Sequence, residues 1–235
     1  MKKEFQRLGL IFGEEKVGSL ENKHIAIFGV GGVGSYAAEA IARSNVGIIT
    51  LVDFDDIDIT NINRQIPALS STIGEKKVFV MKKRIEDINP YCHVKILDKK
   101  YLPENREEFF VDRYDYIIDA IDIITSKIDL IVEAKKRDIP IISSMGMGNK
   151  IDPTKIKIED IYKTHMCPLA KVIRKELKAR AISSLLTVFS EEKPLKPVVS
   201  ISNETKKIVP GSTAFVPSVA GLIMASRVIK ELLGM

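Results

Sequence analysis

Hydrophobic and polar positions along the chain follow two alternating periods. Residues 24–29 (HIAIFG) are an almost unbroken apolar run, which predicts a strand buried on both faces. A glycine loop follows, then an apolar-periodic segment that predicts a helix through about Arg43. Residues 47–53 (GIITLVD) repeat the strand signature with β-branched side chains. Residues 73–88 have helical character and many lysines, and 93–97 (HVKIL) alternates as a third strand would. Residues 114–122 (YDYIIDAID) read as a strand ending in acids. Residues 125–137 predict a helix whose Lys-Lys-Arg end complements the helix dipole, and 139–148 (IPIISSMGMG) a strand running into a glycine-containing loop. Strands alternating with helices predict a doubly wound, mostly parallel α/β sheet with helices on both faces.

After Asn149 the pattern changes. IDPTKIKIEDI gives a proline-containing turn and then period-2 alternation, CPLAKVIRKELKAR a basic helix, and 190–212 a polar, proline-rich irregular excursion. A helix around 216–233 closes the chain. There is no internal repeat and no clear interdomain linker, so the expectation is one domain over 1–235. About 20–148 would form the nucleotide-binding core, and 149–235 would extend the sheet in a mixed sense.

Composition narrows the class. The chain has 235 residues, 45% hydrophobic and 29% charged, with a formal charge of +5, which fits an anionic partner such as nucleic acid. Its two cysteines, Cys92 and Cys167, form no C-x-x-C pair, so no zinc and no dithiol motif is expected. A reducing cytoplasm is the expected setting. The start, MKKEFQRLGLIF, lacks the sustained apolar core of a signal peptide. The most apolar stretch, 214–225, is too short to span a bilayer, so it reads as a buried or subunit-facing helix and no membrane partner is expected.

Chemistry concentrates at strand ends. GVGGVG, from Gly29 to Gly34, fits G-x-G-x-x-G between a predicted strand and helix. Gly29 permits the tight turn, Gly31 lets amides approach a phosphate, and Gly34 allows close helix–strand packing. Asp53, at the end of the second strand, is spaced to accept hydrogen bonds from a ribose hydroxyl. Asp55, Asp56 and Asp58 read as solvated loop acids. The octet DITNINRQ (58–65) and then G-x-K-K (74–77) place Arg64 and Lys77 downstream of the ribose acid. Two cations suit a triphosphate that is bent and split better than the diphosphate of a hydride cofactor, which favours ATP over NAD without excluding NAD. Asp119 and Asp122 end the next strand, where one of them could hold Mg²⁺.

Together these segments resemble the ubiquitin-activating-enzyme-like adenylating family, which contains the activators of sulfur-carrier proteins. ARSNVG, TNINRQIPALSSTIG, DAIDIITSK, IPIISSMGMGNKIDPTKI and CPLAKVIRKELK look most like its tRNA threonylcarbamoyladenosine dehydratase branch. The resemblance implies a Rossmann-like fold and an ATP-dependent, Mg²⁺-assisted adenylation of a carboxylate. The carboxylate would be that of threonylcarbamoyladenosine in tRNA, followed by cyclisation. It implies that Gly29, Gly31, Gly32 and Gly34 line the phosphates and that Asp53 binds the ribose, with Asp55 beside it. Asn61, Arg64 and Lys77 would contact the triphosphate, and Asp122 would organise Mg²⁺ with Asp119 close by. Arg7 matches an arginine that such homodimers give to the neighbouring subunit's site. A sulfur-relay protein is a further implied partner.

Cys167 stands where the dehydratases carry an acid, so it is expected to pack rather than react. For tRNA phosphates the candidate clusters are Lys82, Lys83 and Arg84, and Arg174, Lys175 and Lys178. Three other readings stay open at this stage. They are an activator of a ubiquitin-like carrier, disfavoured by the missing zinc pairs; an NAD-dependent oxidoreductase; and a non-catalytic nucleotide-sensing module.

Overall fold

The computed structural model describes residues 2–199 and 209–235. Strands β1 (His24–Phe28), β2 (Ile48–Val52) and β3 (His93–Leu97) lie parallel, and β4 (Tyr116–Asp119) and β5 (Ile141–Ser144) continue the sheet from the other side of β1. Two later strands, β6 (Ile156–Asp160) and β7 (Leu186–Ser190), complete the order β3-β2-β1-β4-β5-β7-β6. β7 is parallel to β5, and β6 is antiparallel to β7. The fold is therefore the doubly wound, mostly parallel one that the periodicity predicts, with the expected mixed extension.

Alternation along each strand sorts the core into two layers. Ile25 and Ile27 of β1 pack with Ile49, Leu51, Ile118, Ile142 and Val188 under α3 (Gly34–Ala42), α4 (Lys77–Ile88) and α7 (Phe215–Leu232). Ala26 and Phe28 pack with Val52, Ile117, Ile141 and Phe189 under α5 (Ile124–Lys136) and α6 (Pro168–Ala179). This is why the strands read as continuous apolar runs: both faces are covered. At the amino-terminal end, α1 (Gln6–Phe12) and α2 (Glu14–Ser19) lead into β1, and Val17 and Leu20 are fully buried.

Two boundaries and one strand differ from the periodicity. The helix expected from 73 starts at Lys77, because Gly74 at φ +86° and an Asp56–Lys76 bridge return the preceding turn to the end of β2. β4 stops at Asp119, whose Oδ1 accepts from the Ile121 amide at 3.1 Å and turns the chain. β7 has no counterpart among the predicted strands. Of the excursion over 190–212, residues 191–199 and 209–212 have no regular helix or strand, and 200–208 lie outside the described residues.

Candidate functional site

The strand order reverses at β1, with β2 on one side and β4 on the other, and the loop after β1 opens a crevice at the carboxyl ends of the strands. Gly29 has φ +87°, and a Cβ there would stand 2.7 Å from the Ala120 carbonyl oxygen. A Cβ on Gly34 would stand 1.8 Å from the Gly29 oxygen, so α3 can start against the turn only with glycine at that position. The result is a helix amino terminus aimed into a cleft of about 530 Å³.

The β2 side of the cleft is organised by hydrogen bonds. Asp53 accepts from the Val30 amide at 2.6 Å and from the Asp55 amide at 2.9 Å, which fixes its carboxylate relative to the glycine loop. Burial pushes its pKa up, against the Lys77 charge and the two amides that pull it down. Lys77 is buried at the first turn of α4 and pairs with Asp55 at 2.7 Å. The octet folds as a capped turn: the Asp58 carboxylate accepts from the Thr60 amide at 2.8 Å, and Asn61 Oδ1 accepts from the Asp58 amide at 3.2 Å. That turn presents Arg64, whose Nη1 donates to the Thr60 carbonyl and Asn63 Oδ1, each at 2.9 Å. No carboxylate pairs with Arg64 among the described residues, and burial lowers its pKa. Next to it Gln65 is buried, with its Oε1 lacking any partner among the described residues.

The β4 side divides its two acids. Asp119 is fully buried, accepting from Lys127 Nζ at 2.7 Å and the Ser143 hydroxyl at 2.6 Å. It does not line the cleft. Asp122 does; it is exposed and has no cation within ion-pair distance among the described residues.

The far wall comes from the carboxyl-terminal part of the chain. Residues 144–148, 209–212 and Pro217 line the cleft. Gly221 makes this possible, since a Cβ there would meet the Val33 carbonyl oxygen at 2.2 Å. The close crossing of α7 over α3 sets Pro217 3.3 Å from the position a Gly32 Cβ would take. Asn63 Nδ2 donates to the Ser212 carbonyl at 3.0 Å, tying the octet to this wall. At the rim stand Lys99 and Lys100, with Lys100 Nζ 5.2 Å from the Phe54 ring centroid.

Of the residues expected at a nucleotide site, the cleft gathers Gly29, Gly31, Gly32, Asp53, Asp55, Asn61, Arg64, Lys77 and Asp122. It leaves out three. Gly34 acts through packing, Asp119 is locked beneath the loop, and Arg7 is exposed on α1 and does not line the cleft of its own chain. Reading the sequence missed Lys127, the Lys99–Lys100 rim and the 209–212 wall. Gln65 was quoted in the octet without a role.

Cys167 is buried, with its Sγ 3.7 Å from the position of a Gly146 Cβ, and Cys92 is a buried thiol pushed up to about 12 by desolvation. His24 is a core residue bonded to the Thr50 hydroxyl at 2.8 Å. Within the two basic clusters, Arg84 is paired with Glu39 at 2.6 Å, and Arg174 Nη1 donates to the Thr164 carbonyl at 2.8 Å. Lys83, Lys175 and Lys178 are exposed.

Comparison with known proteins agrees with this geometry. Residues 5–235 match the profile of the ThiF family. The tRNA threonylcarbamoyladenosine dehydratase of Bacillus subtilis is 50% identical over 99% of this chain and 96% of its own. That of Haemophilus influenzae is 37% identical over 97% and 93%. Among solved structures, the Escherichia coli tRNA N6-threonylcarbamoyladenosine dehydratase, TcdA, in complex with ATP superposes with a TM-score of 0.90 at 35% identity, covering 99% of this chain and 94% of that one. Its AMP complex superposes with a TM-score of 0.91. No helix among the described residues is long and apolar enough to cross a membrane.

Proposed function

The chain belongs to the ThiF family, and from that premise we propose that it is an ATP-dependent dehydratase acting on threonylcarbamoyladenosine in tRNA. The observation that carries this reading is the full-length identity to the Bacillus subtilis dehydratase. The cleft supports it with an amide-rich loop, a ribose-spaced carboxylate and an arginine that has no carboxylate partner among the described residues.

The reaction runs in two stages. An oxygen of the substrate carboxylate attacks the α-phosphorus of ATP, the bond to the β-phosphate breaks, and pyrophosphate leaves. A nucleophile of the same threonylcarbamoyl group then attacks the activated acyl carbon and loses its proton. AMP departs with one of the original carboxylate oxygens, so the net loss is one water. Because the second nucleophile is tethered, no catalytic cysteine is needed, which matches the buried, packed environment of Cys167.

Each residue then has a task. The Asp53 carboxylate accepts from the ribose hydroxyls, oriented by its bond to the Val30 amide. The loop around Gly29, Gly31 and Gly32 approaches the phosphates through its backbone. Asn61 caps the turn that presents Arg64. Arg64 and Lys77 stabilise charge on the departing pyrophosphate, with Asp55 holding Lys77 in place. Mg²⁺ fits Asp122, since the ion takes one or two carboxylates plus phosphate oxygens and Asp122 is an exposed carboxylate on the cleft wall. When bound there, the ion neutralises phosphate charge.

The enzyme works as a single adenylating domain over 1–235, and as a homodimer in which Arg7 serves the partner's nucleotide. Supporting the dimer, Arg7 lies outside its own cleft on a helix that leaves Leu10 and Ile11 87% and 76% exposed. A sulfur-relay partner and a cytoplasmic setting rest on the sequence alone.

The test is mass spectrometry of tRNA nucleosides after incubation with MgATP and tRNA carrying uncyclised threonylcarbamoyladenosine. ATP-dependent loss of one water from that nucleoside is expected. An unchanged nucleoside, with verified substrate and folded protein, overturns the assignment and directs the same site toward ubiquitin-like carrier tails.

A further inference from the structure

A tRNA is far larger than the cleft, so most of it must lie on the outer surface. The surface helix that starts at the cleft is α6: Leu169, in its first turn, lines the cleft wall. The next strand, β7, runs parallel to β5 and so begins at the sheet edge opposite the cleft. Between these two points α6 descends from the cleft rim along the outside of the domain. Arg174 fixes it there, with Nη1 donating to the Thr164 carbonyl at 2.8 Å and to the Thr164 hydroxyl at 2.7 Å.

Ala170, Ile173 and Leu177 form the core side of α6, and the face turned to solvent is basic. Lys171, Lys175 and Lys178 are exposed, and none has a carboxylate within ion-pair distance among the described residues. At about 100° per residue they fall within an arc of about 60° and span about 10 Å of the helix, the reach of about three phosphates of one strand. Acids on the adjoining surfaces are engaged elsewhere: Glu176 with Arg180 at 2.7 Å, and Asp129 and Glu133 of α5 with Arg106, each at 3.0 Å. The first turn of α6 holds no acid, although the helix dipole favours one there.

Other basic groups are less free. On α4, Lys82 pairs with Glu86 at 3.7 Å and Arg84 with Glu39 at 2.6 Å. At the cleft rim Lys99 pairs with Glu108, and Lys100 lies over the Phe54 ring.

We propose that the Lys171, Lys175 and Lys178 face of α6 is the docking surface for the RNA backbone that flanks the modified nucleoside, and that α4 is not. This rests on the tRNA reading given above. Contacts to phosphates position the RNA without reading its sequence.

The experiment measures binding of an unmodified tRNA transcript by fluorescence anisotropy over a range of salt concentrations, with AMP affinity measured by calorimetry. It compares the wild type, the triple variant Lys171→Ala/Lys175→Ala/Lys178→Ala and the α4 control Lys82→Ala/Lys83→Ala, and a circular-dichroism melt checks each fold. In the triple variant the slope of log affinity against log salt should become shallower by about 2, and tRNA affinity at about 0.1 M salt should fall about tenfold or more. AMP affinity should stay within about twofold, and the control should keep the wild-type slope. If the triple variant does not fold, Lys175→Ala carries the test, with a slope shallower by about 1. An unchanged slope on α6, or an equal change on α4, overturns the proposal and leaves the tRNA reading standing. A folded wild type that binds AMP but no tRNA at low salt overturns both.

Discussion

The strand ends on either side of the glycine loop each deliver two acids to the same region, and they use them differently. Leaving β2, Asp53 and Asp55 both line the cleft, one fixed by backbone amides and the other paired with Lys77. Leaving β4, Asp119 is withdrawn into a fully buried pair with Lys127, and Asp122, three residues on, stays exposed. At β2 a single stretch of chain both orders the loop and lines the cleft. At β4 the two duties are split: Asp119 turns the chain, and the turn carries Asp122. Acids in such similar sequence positions can therefore respond in opposite ways to substitution.

The largest effect expected from this contrast is on stability. Lys127→Met leaves the Asp119 carboxylate buried without its cation and should cost about 3–5 kcal/mol in chemical denaturation. Adding Asp119→Asn should recover most of that cost, because the pair is then replaced by neutral groups of similar size and Oδ1 still accepts from the Ile121 amide. Failure of the double variant to recover would mean that the charge itself shapes the loop.

Next come effects on turnover alone. Arg64→Ala should reduce the dehydration rate by about 10²–10³, the cost of losing one pre-placed charge stabiliser, with an unchanged melting temperature. Its protein hydrogen bonds lie within its own turn, so the fold does not depend on it. Asp122→Asn should likewise leave the denaturation midpoint in place while raising the Mg²⁺ concentration needed for half-maximal rate. A large loss of stability in Asp122→Asn would erase the division of labour at β4.

A smaller effect distinguishes the β2 side by pH. Burial raises the Asp53 pKa above its ordinary value of 3.8, so between that value and the raised one the folded protein binds more protons than the unfolded chain. Stability from this group is therefore highest at low pH and declines as pH rises through that window. Ribose hydroxyls donate to the ionised form, so adenosine affinity should rise over the same window, and calorimetry in Asp53→Asn should show that dependence removed. The smallest effect is expected at an exposed pair: Lys82→Ala, which removes the 3.7 Å contact to Glu86, should change stability by no more than about 0.5 kcal/mol.

These contrasts also show what the sequence could say. The placement of the glycine loop and Asp53 at the cleft was legible because it follows from local spacing between a strand and a helix. The parallel sheet was legible because both faces are covered and the runs are continuous. Lys127 was not, because a lysine inside a helical pattern reads as solvent-facing until tertiary structure supplies Asp119 and Ser143 around it. Asp119 and Asp122 could not be told apart for the same reason. The strand Leu186–Ser190 was overlooked between a basic helix and a proline-rich excursion, although LTVF carries β-branched and aromatic residues. Gln65 gave no signal of its own, since its burial, and an Oε1 without a partner among the described residues, arise only in the folded chain.

The bond from Asn63 to the Ser212 carbonyl, and the seating of Pro217 on Gly32, bear on how the protein is born. Every residue assigned to the triphosphate is translated before residues 209–217, which complete the wall of their cleft. A nascent chain can therefore display its phosphate loop and its arginine well before it can enclose a nucleotide. Synthesis itself delays the finished site until the whole domain is available to fold around it.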